Sequence, residues 1–376
     1  MFCYVKNIKK IFKRKIINIS EPRIEERDIR ILNKYIQKNQ ISTYGQATKD
    51  FEKKISKYTG SKYVIATING TSALHVALKV FDVGMNDEVL MPAFSFISPA
   101  NAIMYCNANP HFVDSELENL GIDPEKLTIY LKKNFYIKNK KTYNNKTRKH
   151  VKALIVVHAY GHPAKINDIK ILCKKYNIKL IEDAAEGMGS FYKKKHLGTI
   201  GDIGILSFNG NKIMTTGGGG ALLTNSKKMY KKMLSLVTLS RKKNDFSDYN
   251  EVGYNYRMPS INAALGLGQL KNIRKFLHMR RFLFKKYSNL FAKSKIKIFK
   301  EPKYCKSNYW LQVLFLDFKN ANNKKKIINF YKKYNIELKL SWKLISSMNH
   351  FKKFPKSELI NAKYLTKHLI NIPSVI

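Results

Sequence analysis

Lys212 stands in SFNGNKIMTTGGGG, residues 207–220, between a small polar strand end and a tetraglycine turn. A strand end holds a side chain in a fixed place, and glycines let the backbone close around a bound group. A lysine so placed is suited to meeting a carbonyl. Lysine amines form Schiff bases with aldehydes, and the commonest use of this in proteins is to hold pyridoxal phosphate, whose pyridine nitrogen then requires a carboxylate. Asp183 is the candidate. It closes the apolar run Ile178–Ile181 in IKLIEDAAEGMGS, which reads as a buried parallel strand delivering an acid at its carboxyl edge. Open α/β sheets bind ligands beyond the carboxyl ends of their strands, so Asp183 and a lysine following the later strand Ile203–Phe208 can meet over one ligand. The phosphate needs a third element. Asn69-Gly70-Thr71-Ser72-Ala73-Leu74 supplies it, because the strand Tyr63–Thr67 ends in a small-residue turn opening a helix whose unpaired N–H groups bind anions.

Each piece also has a plain structural reading. Lys212 could be a solvated loop charge, Asp183 a turn former, and Thr71 or Ser72 an ordinary N-cap. The order of the three along the chain, phosphate turn, strand-end Asp, then lysine, favours a site. His158 and His162 in HAYGHP have i, i+4 spacing, but Gly161 and Pro163 argue against a helix there. No third ligand follows at a zinc-like spacing, so no metal is assigned.

The elements that must position these residues alternate. A helix is expected over 24–40, the strand 63–67, a helix opening at Ser72, a short strand 88–91, and a helix 98–105 entered through Pro99. Strands at 111–114, 153–157 and 178–183 follow, with a helix at 166–176. The lysine- and asparagine-rich stretch 131–152 reads as a long surface loop. Strands alternating with helices imply an α/β fold with a mostly parallel sheet covered on both faces. After Leu223 the pattern changes to one long helical stretch, 261–287. Shorter elements from Tyr309 onward would form a smaller domain.

A chain of 376 residues, 44% of them hydrophobic, can bury a substantial core. Its 70 Lys and Arg against 26 Asp and Glu give a net charge of +44, which raises nucleic acid or an anionic membrane as partners. The excess lysine is spread through helices and loops, and a solvated basic surface is preferred over a nucleic-acid site. Such a surface still attracts a nucleotide diphosphate. The four cysteines, Cys3, Cys106, Cys173 and Cys305, form no paired spacing and fit a reduced cytosol. The N-terminal MFCYVKNIKKIFKRKIINIS is basic and amphipathic without the features of a signal peptide. It reads as a helical or frayed leader, with an anionic membrane surface as the alternative. No stretch reaches the length of a membrane span.

Read together, STYGQATKDFE, NGTSALHVAL, PAFSFISPANAI, HAYGHP, EDAAEGMGSFYKKKHLGTIGDIGILSFNGNK, TTGGGG and EVGYNYRMPSINAALG resemble the DegT/StrS-type sugar-nucleotide aminotransferases. The resemblance runs from about Ser42 to Pro373. It implies the fold type I architecture of pyridoxal 5'-phosphate enzymes, with a basic leader at 1–23, a large cofactor-binding domain at 24–240 and a smaller C-terminal α/β domain at 241–376. The wording of NGNK and TTGGGG is similar to the branch that aminates 4-keto-6-deoxy nucleotide sugars, including enzymes of the legionaminic-acid pathway. Lys212 would then carry the Schiff base and the proton, and Asp183 the pyridine nitrogen. Gly70, Thr71, Ser72 and Ser207 would bind the phosphate. Phe96 would stack on the ring and Glu186, one helical turn past Asp183, would lie near the ring hydroxyl. Asn255 in GYNYR would cross to the phosphate of a partner subunit, making a homodimer with shared sites. The resemblance further implies L-glutamate as donor, a UDP-linked 2-acetamido-4-keto-6-deoxyhexose as acceptor, and a cytoplasmic place in surface polysaccharide or nonulosonic acid synthesis. Rival readings are a 3-keto-sugar aminotransferase, a 3-dehydratase, and a non-catalytic regulator or nucleic-acid binder on the same fold. The dehydratase branch has histidine in place of the Schiff-base lysine, and Lys212 is present. Two departures stand out. The chain stops at NIPSVI, where relatives continue into a further helix, so the face around Tyr309–Phe315 is expected to be open unless the leader covers it. RKKNDFSDY, before GYNYR, is unusually lysine-rich.

Overall fold

The computed structural model describes residues 1–242 and 247–376; residues 243–246, within the RKKNDFSDY segment, lie outside the described residues. The chain begins with α1 (Val5–Phe12), α2 (Glu26–Ile36) and α3 (Gln46–Thr59). The alternating part then runs β1 (Tyr63–Thr67), α4 (Gly70–Val80), β2 (Asp87–Pro92), α5 (Ser98–Tyr105), β3 (Asn109–Val113) and α6 (Pro124–Asn134). A hairpin of β4 (Phe135–Lys138) and β5 (Lys141–Asn144) leads into β6 (His150–Val157), α7 (Ile166–Lys175) and β7 (Lys179–Asp183). The short pair β8 (Phe191–Tyr192) and β9 (Lys195–His196) precedes β10 (Ile203–Ser207), β11 (Gly220–Thr224), α8 (Lys227–Val237) and the long α9 (Ser260–Leu290).

The main sheet has the order β1-β11-β10-β7-β6-β2-β3. From β10 to β3 every pairing is parallel, and β11 runs antiparallel to both of its neighbours. The expected mostly parallel α/β sheet is therefore present. Its strands are nearly all buried, which explains why they read as continuous apolar runs rather than alternating ones. One of the two acids in β2, Glu88, sits in the core because His111 at 2.8 Å and Asn144 at 2.9 Å partner it.

Residues 131–152 correct the expectation of a long loop. They hold the end of α6 and the β4–β5 hairpin, with Phe135 opposite Asn144 and Lys138 opposite Lys141. The two-residue turn Asn139-Lys140 has both φ angles positive, at 49° and 57°, the conformation that matches the twist of a tight hairpin. Tyr136 stacks on Tyr143 across the pair at 5.6 Å. The lysines that hid the pattern are the solvent-facing members of an edge ribbon, where charge discourages further pairing.

Beyond α9 the chain builds an antiparallel sheet of β12 (Lys297–Ile298), β14 (Gln312–Phe315), β15 (Lys339–Leu340) and β16 (Leu369–Ile372), while β13 (Cys305–Lys306) pairs with β8. The first half of α9 packs on α2 and α3, with Ala263, Ala264, Ile273 and Phe276 in the main core. Its second half enters a separate core with Leu283, Tyr287 and Phe291. The N-terminal segment completes that second core: Met1, Val5, Ile8 and Ile17 are buried with Leu314, Tyr331, Ile370 and Ile372. Ile17 N–H donates to Asn335 O at 2.9 Å and Tyr331 Oη to Met1 O at 2.8 Å. Leu314, within the face expected to stand open, is thus covered, while its neighbour Val313 is buried in the main core, and the apolar side of α1 is occupied by protein rather than left for a membrane surface. Replacing Ile8, which is fully buried, by Ala is expected to lower stability by about 2–5 kcal/mol. Urea unfolding checks this, with Lys6→Ala on the exposed side of α1 changing it by no more than about 0.5 kcal/mol.

Candidate active site

The parallel strands place their carboxyl ends along one edge. Register fixes the alignment: Ile205 of β10 lies opposite Asp183 of β7, and Val157 of β6 lies opposite Asp183 from the other side. His158 N–H bonds Asp183 O at 3.1 Å, and Ala184 N–H bonds Ile205 O at 3.0 Å. The residues at these strand ends, His158 after β6, Ala184 after β7 and Ser207 at the end of β10, therefore lie along one edge.

Asp183 is only 5% exposed, and its Oδ1 accepts the Ala185 N–H at 3.0 Å. Burial pushes its carboxyl above the usual range, opposed by that N–H and by the Lys212 ammonium. Glu186 is corrected in one respect: residues 184–189 form turns, not a helix, so no helix dipole acts on it. Its Oε2 accepts the Tyr160 N–H at 2.7 Å, and its Oε1 lies 3.5 Å from Lys212 Nζ. Loss of water pushes Glu186 up to about 7, against the pull of Lys212 and of the Tyr160 N–H. Lys212 itself sits in a turn closed by its N–H to Asn209 O at 3.0 Å, and its ammonium lies 4.0 Å from the centre of the Trp310 ring. The structure thus brings Lys212, Glu186 and Asp183 together.

The turn expected to take the phosphate is also assembled, with a different cap. Asn69, not Thr71 or Ser72, is the N-cap of α4: its side chain accepts the Ser72 N–H at 2.7 Å. That leaves the Thr71 hydroxyl to bond Ser98 Oγ at 3.0 Å. Ser207 reaches the same place from β10, since a side chain on Gly70 would begin 3.2 Å from Ser207 Cβ. At Gly220 a Cβ would fall 2.5 Å from the carbonyl carbon of Asn69. The last glycine of the tetraglycine run therefore lets β11 pass beside the turn. Phe96, past the end of β2, is 55% exposed. Asn255 is exposed and pairs through its backbone with Thr238. Its neighbour Tyr256 accepts the Ile68 N–H at 2.9 Å, so GYNYR runs alongside the residue before the phosphate turn. Within one chain Asn255 is not joined to Lys212.

The two histidines of HAYGHP have structural partners. His158 bonds Glu182 at 3.1 Å and His162 bonds Ser307 at 2.8 Å. Among the described residues there is no cluster of three or more metal-ligating side chains. The sequence reading missed Tyr160 and Trp310. The signal for the first was Gly161, which has φ +82° and follows Tyr160 at φ +56°.

The donor set fits pyridoxal phosphate: a primary amine, a buried carboxylate needing a cation, and a helix N-terminus where any side chain on Gly70 would crowd the serine opposite. Comparison with known proteins gives the class. The DegT/DnrJ/EryC1/StrS aminotransferase family description matches residues 22–376. The chain belongs to this family and is a pyridoxal-phosphate-dependent aminotransferase. It is 34% identical over 300 residues to GDP-perosamine synthase of Escherichia coli O157:H7, covering 79% of this chain and 77% of that protein. It is 30% identical over 311 residues to the UDP-4-amino-4,6-dideoxy-N-acetyl-beta-L-altrosamine transaminase of Campylobacter jejuni serotype O:23/36, covering 82% and 74%. Helicobacter pylori PseC, an aminotransferase of pseudoaminic acid biosynthesis, shares the fold with a TM-score of 0.85 at 23% identity, covering 96% of this chain and 94% of that one. Among the described residues no helix is long and apolar enough to cross a membrane.

The raised Glu186 sets a pH dependence. Between the ordinary carboxyl value of 4.5 and about 7, the folded cofactor-free protein holds a proton that the unfolded chain releases, so stability falls as pH rises through that window. The contribution is about 3 kcal/mol. Glu186→Gln, whose amide oxygen can still accept the Tyr160 N–H, is expected to remove that part of the slope. Urea midpoints at pH 4.5 and 7.5 measure it.

Proposed function

We propose that this enzyme transfers an amino group from L-glutamate to a nucleotide-linked 4-keto-6-deoxy sugar. The observation that carries the reading is the meeting of Lys212, Glu186 and Asp183 at one sheet edge, beside the N-terminus of α4. When bound there, pyridoxal phosphate supplies a carbonyl for amines and an electron sink for the charge left when a proton departs. Lys212 holds the cofactor and moves the proton at the substrate carbon with Nζ. Asp183 would set its carboxylate against the ring nitrogen, and the N–H groups of Gly70 and Thr71 with the hydroxyls of Ser72 and Ser207 would hold the phosphate, the Ser72 N–H being taken by Asn69. The exposed Phe96 would stack on the ring. Glu186 holds the Lys212 ammonium on one side and would lie near the ring hydroxyl.

The sugar class rests on the relatives. The Campylobacter enzyme's name places the amine on carbon 4 of a 6-deoxy N-acetyl sugar carried by UDP, which supports a UDP-linked 2-acetamido acceptor; cytoplasmic synthesis of a surface glycan is the part of the proposal that this name does not bear on. The higher identity to GDP-perosamine synthase supports a second reading, a GDP-linked acceptor. Borohydride is expected to fix the cofactor onto Lys212, read by peptide mass spectrometry. Recovery on another lysine would overturn the site. Mass spectrometry of products from UDP- and GDP-linked 3-keto and 4-keto sugars with glutamate then identifies the acceptor; aminated 3-keto sugars alone would refute the proposed class. Asp183→Asn is expected to lose most turnover while retaining part of the cofactor binding.

We also infer a dimer that shares its sites. Tyr105, Tyr254 and Tyr256 gather around His75 with ring centroids 5.9, 4.7 and 6.0 Å away, and Tyr105 remains 57% exposed beside the segment holding Asn255. Such an aromatic face suits a second copy. Lys212→Ala and Asn255→Ala subunits, each inactive alone, are expected to recover about a quarter of wild-type activity after exchange, since half the dimers are mixed and each has one intact site. No recovery would show that each site is built within one chain.

A further inference from the structure

We propose that Trp310 is a positioning residue for Lys212, giving the free ammonium a resting place on its ring face whenever the lysine is not bonded to cofactor. The inference rests on Lys212 being the cofactor lysine. Nζ lies 4.0 Å from the Trp310 ring centre and 3.5 Å from Glu186 Oε1, so a ring face and a carboxylate hold the same cation. A tryptophan face is the best of the aromatic partners for an ammonium, and the contact strengthens where water is scarce; Trp310 is 5% exposed.

The ring is itself fixed from several directions. Its indole N–H donates to Asn211 O at 2.6 Å, on the residue before the lysine, and Ser20 Oγ donates to the same carbonyl at 3.1 Å. Trp310 N–H bonds Asn308 Oδ1 at 2.8 Å, while Asn308 Nδ2 donates to Glu186 O at 2.7 Å and Met188 O at 2.9 Å. The loop that carries Glu186 is thereby tied to the segment that carries Trp310. Gly161 permits this approach, since a Cβ there would fall 2.1 Å from Asn308 Oδ1. Trp310 also stacks with Tyr160 at 6.4 Å, and Tyr160 stacks with Trp342 at 4.3 Å. The chain has two tryptophans, and both belong to this one stack. Through it the carboxylate partner, the ring partner and the backbone of Lys212 form one unit.

A lysine set free during a reaction cycle is a mobile four-carbon chain. Held between ring and carboxylate, its nitrogen stays near the place where it must next accept or deliver a proton. The test uses two variants and a readout independent of turnover. In the cofactor-free protein, labelling of Lys212 by an amine-reactive ester is followed by peptide mass spectrometry at pH 7, with the exposed Lys62 as internal reference. Trp310→Leu is expected to raise Lys212 labelling about 3- to 30-fold, the range of a cation–π contact. Trp310→Phe, which keeps a ring face but loses the N–H to Asn211, is expected to fall between it and the wild type. In the loaded enzyme, Trp310→Leu should lower kcat with little change in the KM for glutamate. Equal labelling in all three proteins, each shown folded by its melting transition, overturns the proposal. If borohydride marks another lysine while labelling still responds to Trp310, the contact stands and the assignment of Lys212 fails; that result also removes the functional claim for Trp310.

Discussion

Two carboxylates with too little water around them govern this site. Asp183 and Glu186 are both buried at the carboxyl edge of the sheet, and burial pushes both toward the neutral form. The Lys212 ammonium opposes the shift in each. A group of fixed positive charge set against Asp183 would complete what the protein leaves half compensated, which is the electrostatic need that a protonated pyridine meets. The acids are therefore more than ligands awaiting a cofactor: their cost in its absence favours binding of a cationic ring.

The neighbouring Glu182 shows the contrasting solution. Burial pushes it up too, but His158 at 3.1 Å and the N–H groups of Gly201 and of Gly198 at 3.0 Å outweigh that and hold it below its ordinary value. Adjacent acids on one strand point to opposite faces of the sheet. Glu182 is satisfied from within and ties down the 198–201 loop, whereas Asp183 meets the Lys212 side. One residue of register separates a carboxylate satisfied within the fold from one left on the Lys212 side, and the parallel pairing of β7 with β6 and β10 fixes that register.

Much of the architecture was legible because a buried parallel strand leaves a plain trace. The apolar runs at 63–67, 178–183 and 203–208 and the small-residue turn that opens α4 sit where the sequence indicated. What escaped depended on contacts between distant segments. Nothing local to HAYGHP says that the Tyr160 backbone N–H will bond Glu186, or that Gly161 makes room for Asn308, because those partners lie 26 and 147 residues away along the chain. The hairpin at 135–144 escaped for a different reason. Its lysines and asparagines obscure a two-residue period, and its turn uses Asn-Lys rather than the glycine pair that would have announced it. The leader's role was open for the same reason as the aromatic stack: amphipathicity reveals that a face must be covered, not by what.

The distribution of charge separates solubility from chemistry. Acids are scarce, 26 against 70 cations, yet Asp28, Asp87, Glu88, Asp114, Glu182, Asp183 and Glu186 are all buried, while among the described residues no lysine is. Arg280, the one buried arginine among the described residues, has its guanidinium turned to the carbonyls of Trp310 and Ser374 rather than to an acid, and loss of water lowers it to about 9. The interior thus uses most of its ionisable groups as hydrogen-bonded anchors, and the exterior carries nearly all of the excess positive charge. A lysine-rich exterior concentrates anions generally, with a reach of about 8 Å at physiological salt. It can hasten the arrival of a nucleotide diphosphate, but it cannot choose among sugars. Selection has to come from the few groups whose positions are fixed by the sheet edge and the aromatic stack, and these owe nothing to the net charge of the chain.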